Sequence, residues 1–140
     1  MVKNMGLGSS FPVRVFVDYE IRTIDHDKER YDTAGDYWLE DGKTQIRVSN
    51  MNNEDYQFLL ITHELIEEHL TRRRGISEES ITAWDLNHID HPDPGSIEGC
   101  PYFAEHAFAT FIEKLVCHKL GIKWNDYDKS FELLHWKGEK

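Results

Sequence analysis

The chain has no apolar run approaching the roughly 20 residues that cross a bilayer. It also lacks an N-terminal charged region followed by an apolar stretch. Neither a membrane span nor an export signal is expected, and the chain reads as a soluble, cytoplasmic protein. Cysteine is scarce: only Cys100 and Cys117 occur, too few for a disulfide framework and at a spacing that matches no zinc knuckle. Both are expected as reduced thiols. Positive charge is also short, with 16 Lys and Arg against 26 Asp and Glu and a net charge of −10. A phosphate backbone repels such a surface, so non-specific nucleic-acid binding is not expected. The one basic cluster, Arg72 to Arg74, suits the negative C-terminal end of a helix instead. Internal repeats and low-complexity tracts are missing as well, which excludes repeat architectures.

What is present is enough for one core. The 140 residues are 39% hydrophobic and 12% aromatic, a composition that disordered chains do not have. A single domain over 1–140 follows, because a second does not fit in this length.

From Pro12 to Ile24 the residues Val13, Val15, Val17, Tyr19 and Ile21 alternate with mostly polar neighbours, the period of a strand with one face buried. Asp25 to Asp32 is charged and reads as a loop. Apolar-rich runs then flank Asp41-Gly42, a hairpin turn in which Gly tolerates positive φ. A small, mostly antiparallel sheet is therefore expected. Helical periodicity begins at Asn53, with Phe58, Leu59, Thr62, Leu65, Ile66 and Leu70 on one stripe, and ends at Gly75. Ser77 caps a shorter helix to about Asn87, and a polar loop from His88 to Gly95 follows. Pro101 opens a third helix ending at Gly121, apolar nearly all round and so expected at the centre of the fold. An amphipathic segment with Tyr127, Phe131 and Leu134 closes the chain. The fold class expected is α+β: an N-terminal antiparallel sheet packed on three or four helices.

The polar cluster His63-Glu64-Leu65-Ile66-Glu67-Glu68-His69 lies on the first helix. His63 and Glu67, four apart, stand one turn above each other, while Glu64 points about 100° away. His106 is a polar side chain on the otherwise apolar third helix, and Glu113 returns to its face two turns later. If the two faces meet, His63, Glu67 and His106 converge as ligands of one divalent metal, with an open position for water. Glu113 is then placed to orient an imidazole, and Asp85 to support a ligand or a second ion. His69 falls inside the apolar stripe and reads as a core residue; His88, Asp90, His91 and Asp93 read as a solvated loop.

Residues 63 to 67 resemble the zincin metalloprotease helix, H-E-x-x-H, in which two His bind zinc and the Glu activates water. The fifth position here is Glu67, which keeps a zinc ligand but makes the site richer in oxygen. Across the chain, Y-D-T-A-G-D-Y-W (31 to 38), I-T-H-E-L-I-E-E (61 to 68), R-G-I-S (74 to 77), A-W-D (83 to 85), P-Y-F-A-E-H-A-F-A (101 to 109) and L-G-I-K-W (120 to 124) resemble a family of small uncharacterised proteins of bacteria and their phages. That resemblance implies a stand-alone domain and no particular activity.

The leading functional expectation is a zinc-dependent, peptidase-like hydrolase of unidentified substrate, with Glu64 as its base. A second reading takes Glu64, Glu67, Glu68 and Asp85 as magnesium ligands, a set that resembles the all-helical nucleotide pyrophosphohydrolases. A third makes the metal a staple between helices in a non-enzymatic, phage-related binding module.

Overall fold

The computed structural model of the chain describes residues 16–138. Three strands come first, β1 (Tyr19–Ile24), β2 (Gly35–Glu40) and β3 (Lys43–Ser49). β2 and β3 form the expected hairpin, antiparallel from Gly35 opposite Val48 to Glu40 opposite Lys43. Its turn is made by Asp41 at φ 55° and Gly42 at φ 74°, the consecutive positive angles that match a tight turn to the twist of its strands.

β1 lies on the far side of β3 and runs parallel to it, Tyr19 beside Thr44 and Ile24 beside Ser49. The sheet is thus mixed, in the order β1-β3-β2, where a mostly antiparallel one was expected. The cause is that β3 inserts between β1 and β2, so the loop joining those two strands must pass over the end of β3. That charged loop is not simply solvated. His26 and Glu29 are buried there, and Ser49 at the end of β3 lies 2.8 Å from His26 Nδ1 and donates to Glu29 over 2.8 Å. Val13 and Val15 of the expected strand lie outside the described residues. Tyr19 and Ile21, expected inside, are 37% and 41% exposed because β1 is an edge strand.

The helices are α1 (Glu54–Arg74), α2 (Glu78–Asn87), α3 (Phe103–Lys119) and α4 (Trp124–Ser130), giving an α+β fold. Asn53 caps α1 by accepting the Tyr56 N–H at 3.1 Å, and Gly75 closes it at φ 77°. Ser77 caps α2 in the same way through Ser80 N–H. None of the described helices is long and apolar enough to cross a membrane. Cys100 and Cys117 are both free and buried.

α1 lies across the sheet and packs along α3, but both helices are rotated from expectation. α1 buries His63, Glu64, Glu67, Glu68 and Thr71 beside Leu59 and Leu60, whereas Phe58 is exposed. His69, expected in the core, is exposed and sits 3.1 Å from an Arg72 guanidinium nitrogen. α3 buries Glu105, Ala109, Glu113 and Cys117 and turns Phe108, Phe111 and Leu115 outward. It is therefore not a central, all-round buried helix. Apolar cores flank the polar seam on two sides. One joins Tyr37, Ile46, Ile81, Cys100 and Tyr102; the other joins Leu59, Cys117 and Tyr127.

Candidate metal centre

The polar seam between α1 and α3 converges on one oxygen. Glu67 Oε2 lies 3.0 Å from His63 Nε2 and 2.8 Å from His106 Nδ1, and the two nitrogens are 3.2 Å apart. Four-residue spacing on α1 stacks His63 over Glu67, and the antiparallel course of α3 brings His106 to the same point. This group could hold a divalent metal ion. The fit is close, because a tetrahedral ion with bonds of about 2.0–2.1 Å sets its donors about 3.3 Å apart.

Each imidazole is held from behind by a carboxylate. His63 Nδ1 donates to Glu113 Oε1 over 2.8 Å, and Glu113 in turn accepts from the Tyr127 hydroxyl at 2.5 Å. His106 Nε2 lies 2.9 Å from Asp93 Oδ1, although this nitrogen makes no aligned hydrogen bond. Such backing carboxylates keep the proton on the far nitrogen and aim the near lone pair at the centre. The second Glu67 oxygen accepts from Tyr37 of β2 over 2.9 Å. Glu67 is thereby fixed from the sheet as well as from both imidazoles.

The charges follow from this packing. Burial alone would lower both imidazoles, but hydrogen bonds to Glu113 and Glu67 hold His63 well above its usual value. The Asp93 carboxylate 2.9 Å away and the hydrogen bond to Glu67 bring His106 up to about 9. Burial would raise Glu67, yet the hydrogen bonds from His106 and His63 push it down to about 2. Without an ion, this raising favours N–H groups on both rings that donate to the Glu67 oxygen, the positions a metal ion would take from the protons.

Glu64 behaves differently. Burial and the neighbouring Glu67 raise it well above the carboxylate range, and among the described residues its carboxyl has no hydrogen-bond partner. It rests against β2, where a Cβ on Gly35 would come within 2.5 Å of Glu64 Cδ. Gly95 leaves room for His106 in the same way, since a Cβ there would lie 2.5 Å from His106 Cγ. Neither glycine has a positive φ, so both positions need the space rather than the freedom.

Asp85 bonds no imidazole; its oxygens accept from Tyr31 at 2.9 Å and from Tyr102. Glu68 is taken by Arg72 at 2.8 Å and Tyr19 at 3.2 Å. The four carboxylates considered for magnesium therefore do not converge. Asp93, Tyr37 and Tyr127 were not anticipated. Asp93 lies in the loop read as solvated, and only the 3-10 turn at Pro94–Ser96 carries it back to α3. The available signal was Gly35 in a strand, which marks a close approach to the backbone. No protein-family model, curated protein or solved structure matches the chain.

Proposed function

We propose that this protein is a metal-dependent hydrolase in which His63, Glu67 and His106 hold a zinc ion and Glu64 is the general base. The observation that carries the reading is the convergence of His63, Glu67 and His106, with the Glu64 carboxyl in electrostatic reach of all three and held by no hydrogen bond among the described residues. A carboxyl satisfied by structure would be paired, and one left free next to a cation site is available to water. Two imidazoles and a carboxylate suit a borderline transition metal better than magnesium, which favours all-oxygen shells. Such an ion polarises a carbonyl and lowers the pKa of water toward neutrality. Glu64, raised by burial, sits closer to the pH at which it can take a proton from water and return it to a leaving group. Amide or ester bonds are the substrates this chemistry fits, a peptide among them.

One observation favours a structural ion instead. The His63–Glu67–His106 group is mostly buried, and neither the cleft of about 280 Å³ between β2 and the C-terminal part of α1 nor that of about 390 Å³ beside Leu70 and Ala104 is lined by it. Glu64→Gln separates the readings. For a hydrolase, the variant keeps metal and fold but loses about 10²-fold or more of its turnover on a peptide, amide and ester panel. Unchanged turnover would remove Glu64 from the reaction, and a zinc-loaded wild type inert on every member would favour the staple.

A further inference from the structure

Asp93 and Gly95, in the loop between α2 and α3, bound the His106 ring. Asp93 Oδ1 lies 2.9 Å from Nε2, and a Cβ on Gly95 would come within 2.5 Å of Cγ. Between them stands Pro94, the first residue of the 3-10 turn Pro94–Ser96. This turn closes locally. Ser96 donates to the Asp93 carbonyl through its N–H at 3.0 Å and its hydroxyl at 2.8 Å, and Ile97 N–H donates to the Pro94 carbonyl over 3.3 Å. Those bonds fix the shape of the turn but not its place against α3.

Trp84 of α2 supplies that place. Its Nε1 donates to the Pro94 carbonyl over 2.8 Å, a second donor to an oxygen that Ile97 already satisfies. An indole N–H ordinarily finds some acceptor; here the acceptor is the carbonyl flanked by the two residues that bound His106. The indole is itself held. His88, one turn further on, stacks on it with ring centroids 4.0 Å apart, and His88 Nδ1 lies 2.8 Å from the Trp84 carbonyl. Trp84 also packs against the core that contains Tyr37 and Tyr102, and the Tyr37 hydroxyl donates to Glu67.

We infer that Trp84 is a positioning residue of the metal centre: through the Pro94 carbonyl it holds Asp93 and Gly95 against His106, and so aims Nδ1 at the point where His63 and Glu67 converge. This role rests on the metal reading proposed above. His106 needs such support more than His63 does. The carboxylates on either side of His63, Glu67 and Glu113, belong to α1 and α3 themselves. The one behind His106 comes from a loop, and its side chain is 53% exposed. Outer partners that orient a ligand imidazole are worth about 10- to 100-fold in metal affinity.

Zinc titration of the full chain and its variants is the test, with cobalt(II) as a coloured substitute whose visible bands report donor geometry. Trp84→Phe keeps a ring against His88 and the core, removes the N–H, and leaves the Pro94 carbonyl bonded to Ile97. Zinc affinity is expected to fall about tenfold and the cobalt bands to shift, while the thermal midpoint of the ion-free chain changes little. Asp93→Ala is expected to do the same. The double variant should lose little more than either single one, because both substitutions release the same ring. Should Trp84→Phe fail to fold, His88→Ala, which removes the stacked ring, is read in the same way against Asp93→Ala. A wild type that binds neither zinc nor cobalt overturns the metal reading and this role with it. Where the wild type does bind zinc, unchanged affinity and cobalt bands in Trp84→Phe overturn the role of Trp84 alone. Losses that add in full, or a fall in thermal midpoint with unshifted bands, show an indole that only stabilises the fold and overturn it as well.

Discussion

His106 shows how little freedom a single side chain has here. Its ring is bounded by Glu67 at 2.8 Å, Asp93 at 2.9 Å and the backbone of Gly95. A methyl group at position 95 meets a ring that cannot swing away without leaving both carboxylates. Gly95→Ala is expected to cost about 1–3 kcal/mol and to lower zinc affinity about 10- to 100-fold, read by thermal denaturation and metal titration. At Gly35 the same change meets the flexible end of Glu64, so Gly35→Ala should leave zinc affinity nearly intact. Equal losses of affinity in the two variants would show that Gly95 does not shape the metal centre. At this scale the donors were readable, because His63 and Glu67 are one turn apart on a helix. Asp93 was not, because a Pro-flanked loop gives no sign of the element it folds back upon.

At the scale of elements, α1 and α3 are joined by groups that neutralise each other. His63 stands between Glu67 and Glu113, all three buried. Replacing it leaves two carboxylates facing a cavity without their shared donor. His63→Ala is expected to lose about 3 kcal/mol or more, whereas the exposed His69→Ala should stay within about 0.5 kcal/mol. Chemical denaturation compares the two; equal losses would deny that the seam stabilises the helix pair. This seam also explains why the stripe on α1 was assigned to the wrong side. Periodicity tells which residues share a face, and burying the apolar face is only the usual outcome. A polar face turns inward when another element supplies the complementary charges, and Glu113, His106, Tyr37 and Gly35 all lie outside α1.

For the whole molecule, the proposed metal, protons and stability are linked through the same two imidazoles. With His63 and His106 raised in the folded chain, their contribution to ion-free stability is complete below the unfolded His value of about 6.5 and is lost as pH climbs through their raised folded values, about 9 for His106. Zinc held as proposed would require the same nitrogens unprotonated, so its affinity is expected to rise over that window and its binding to expel up to two protons. The zinc-induced rise in Tm should then be larger at about pH 8.5 than at about pH 6. Scanning fluorimetry with zinc and with chelator measures it, and titration in buffers of different ionisation enthalpy counts the protons. A gain in Tm independent of pH would place the ion away from these imidazoles.

The amino-acid sequence by itself determined what depends on neighbours along the chain. The Asp41-Gly42 turn, the caps at Asn53, Ser77 and Gly75, and the pairing of His63 with Glu67 are all set within a few residues by backbone angles and helical spacing. The α+β class follows from the order of those periods. Tertiary structure alone decided the parallel course of β1, the inward turn of the polar faces of α1 and α3, and the arrival of Asp93, Tyr37 and Tyr127 around the centre. Each of these depends on which surfaces meet, and the free energy of burying a charge is settled by a partner that lies dozens of residues away.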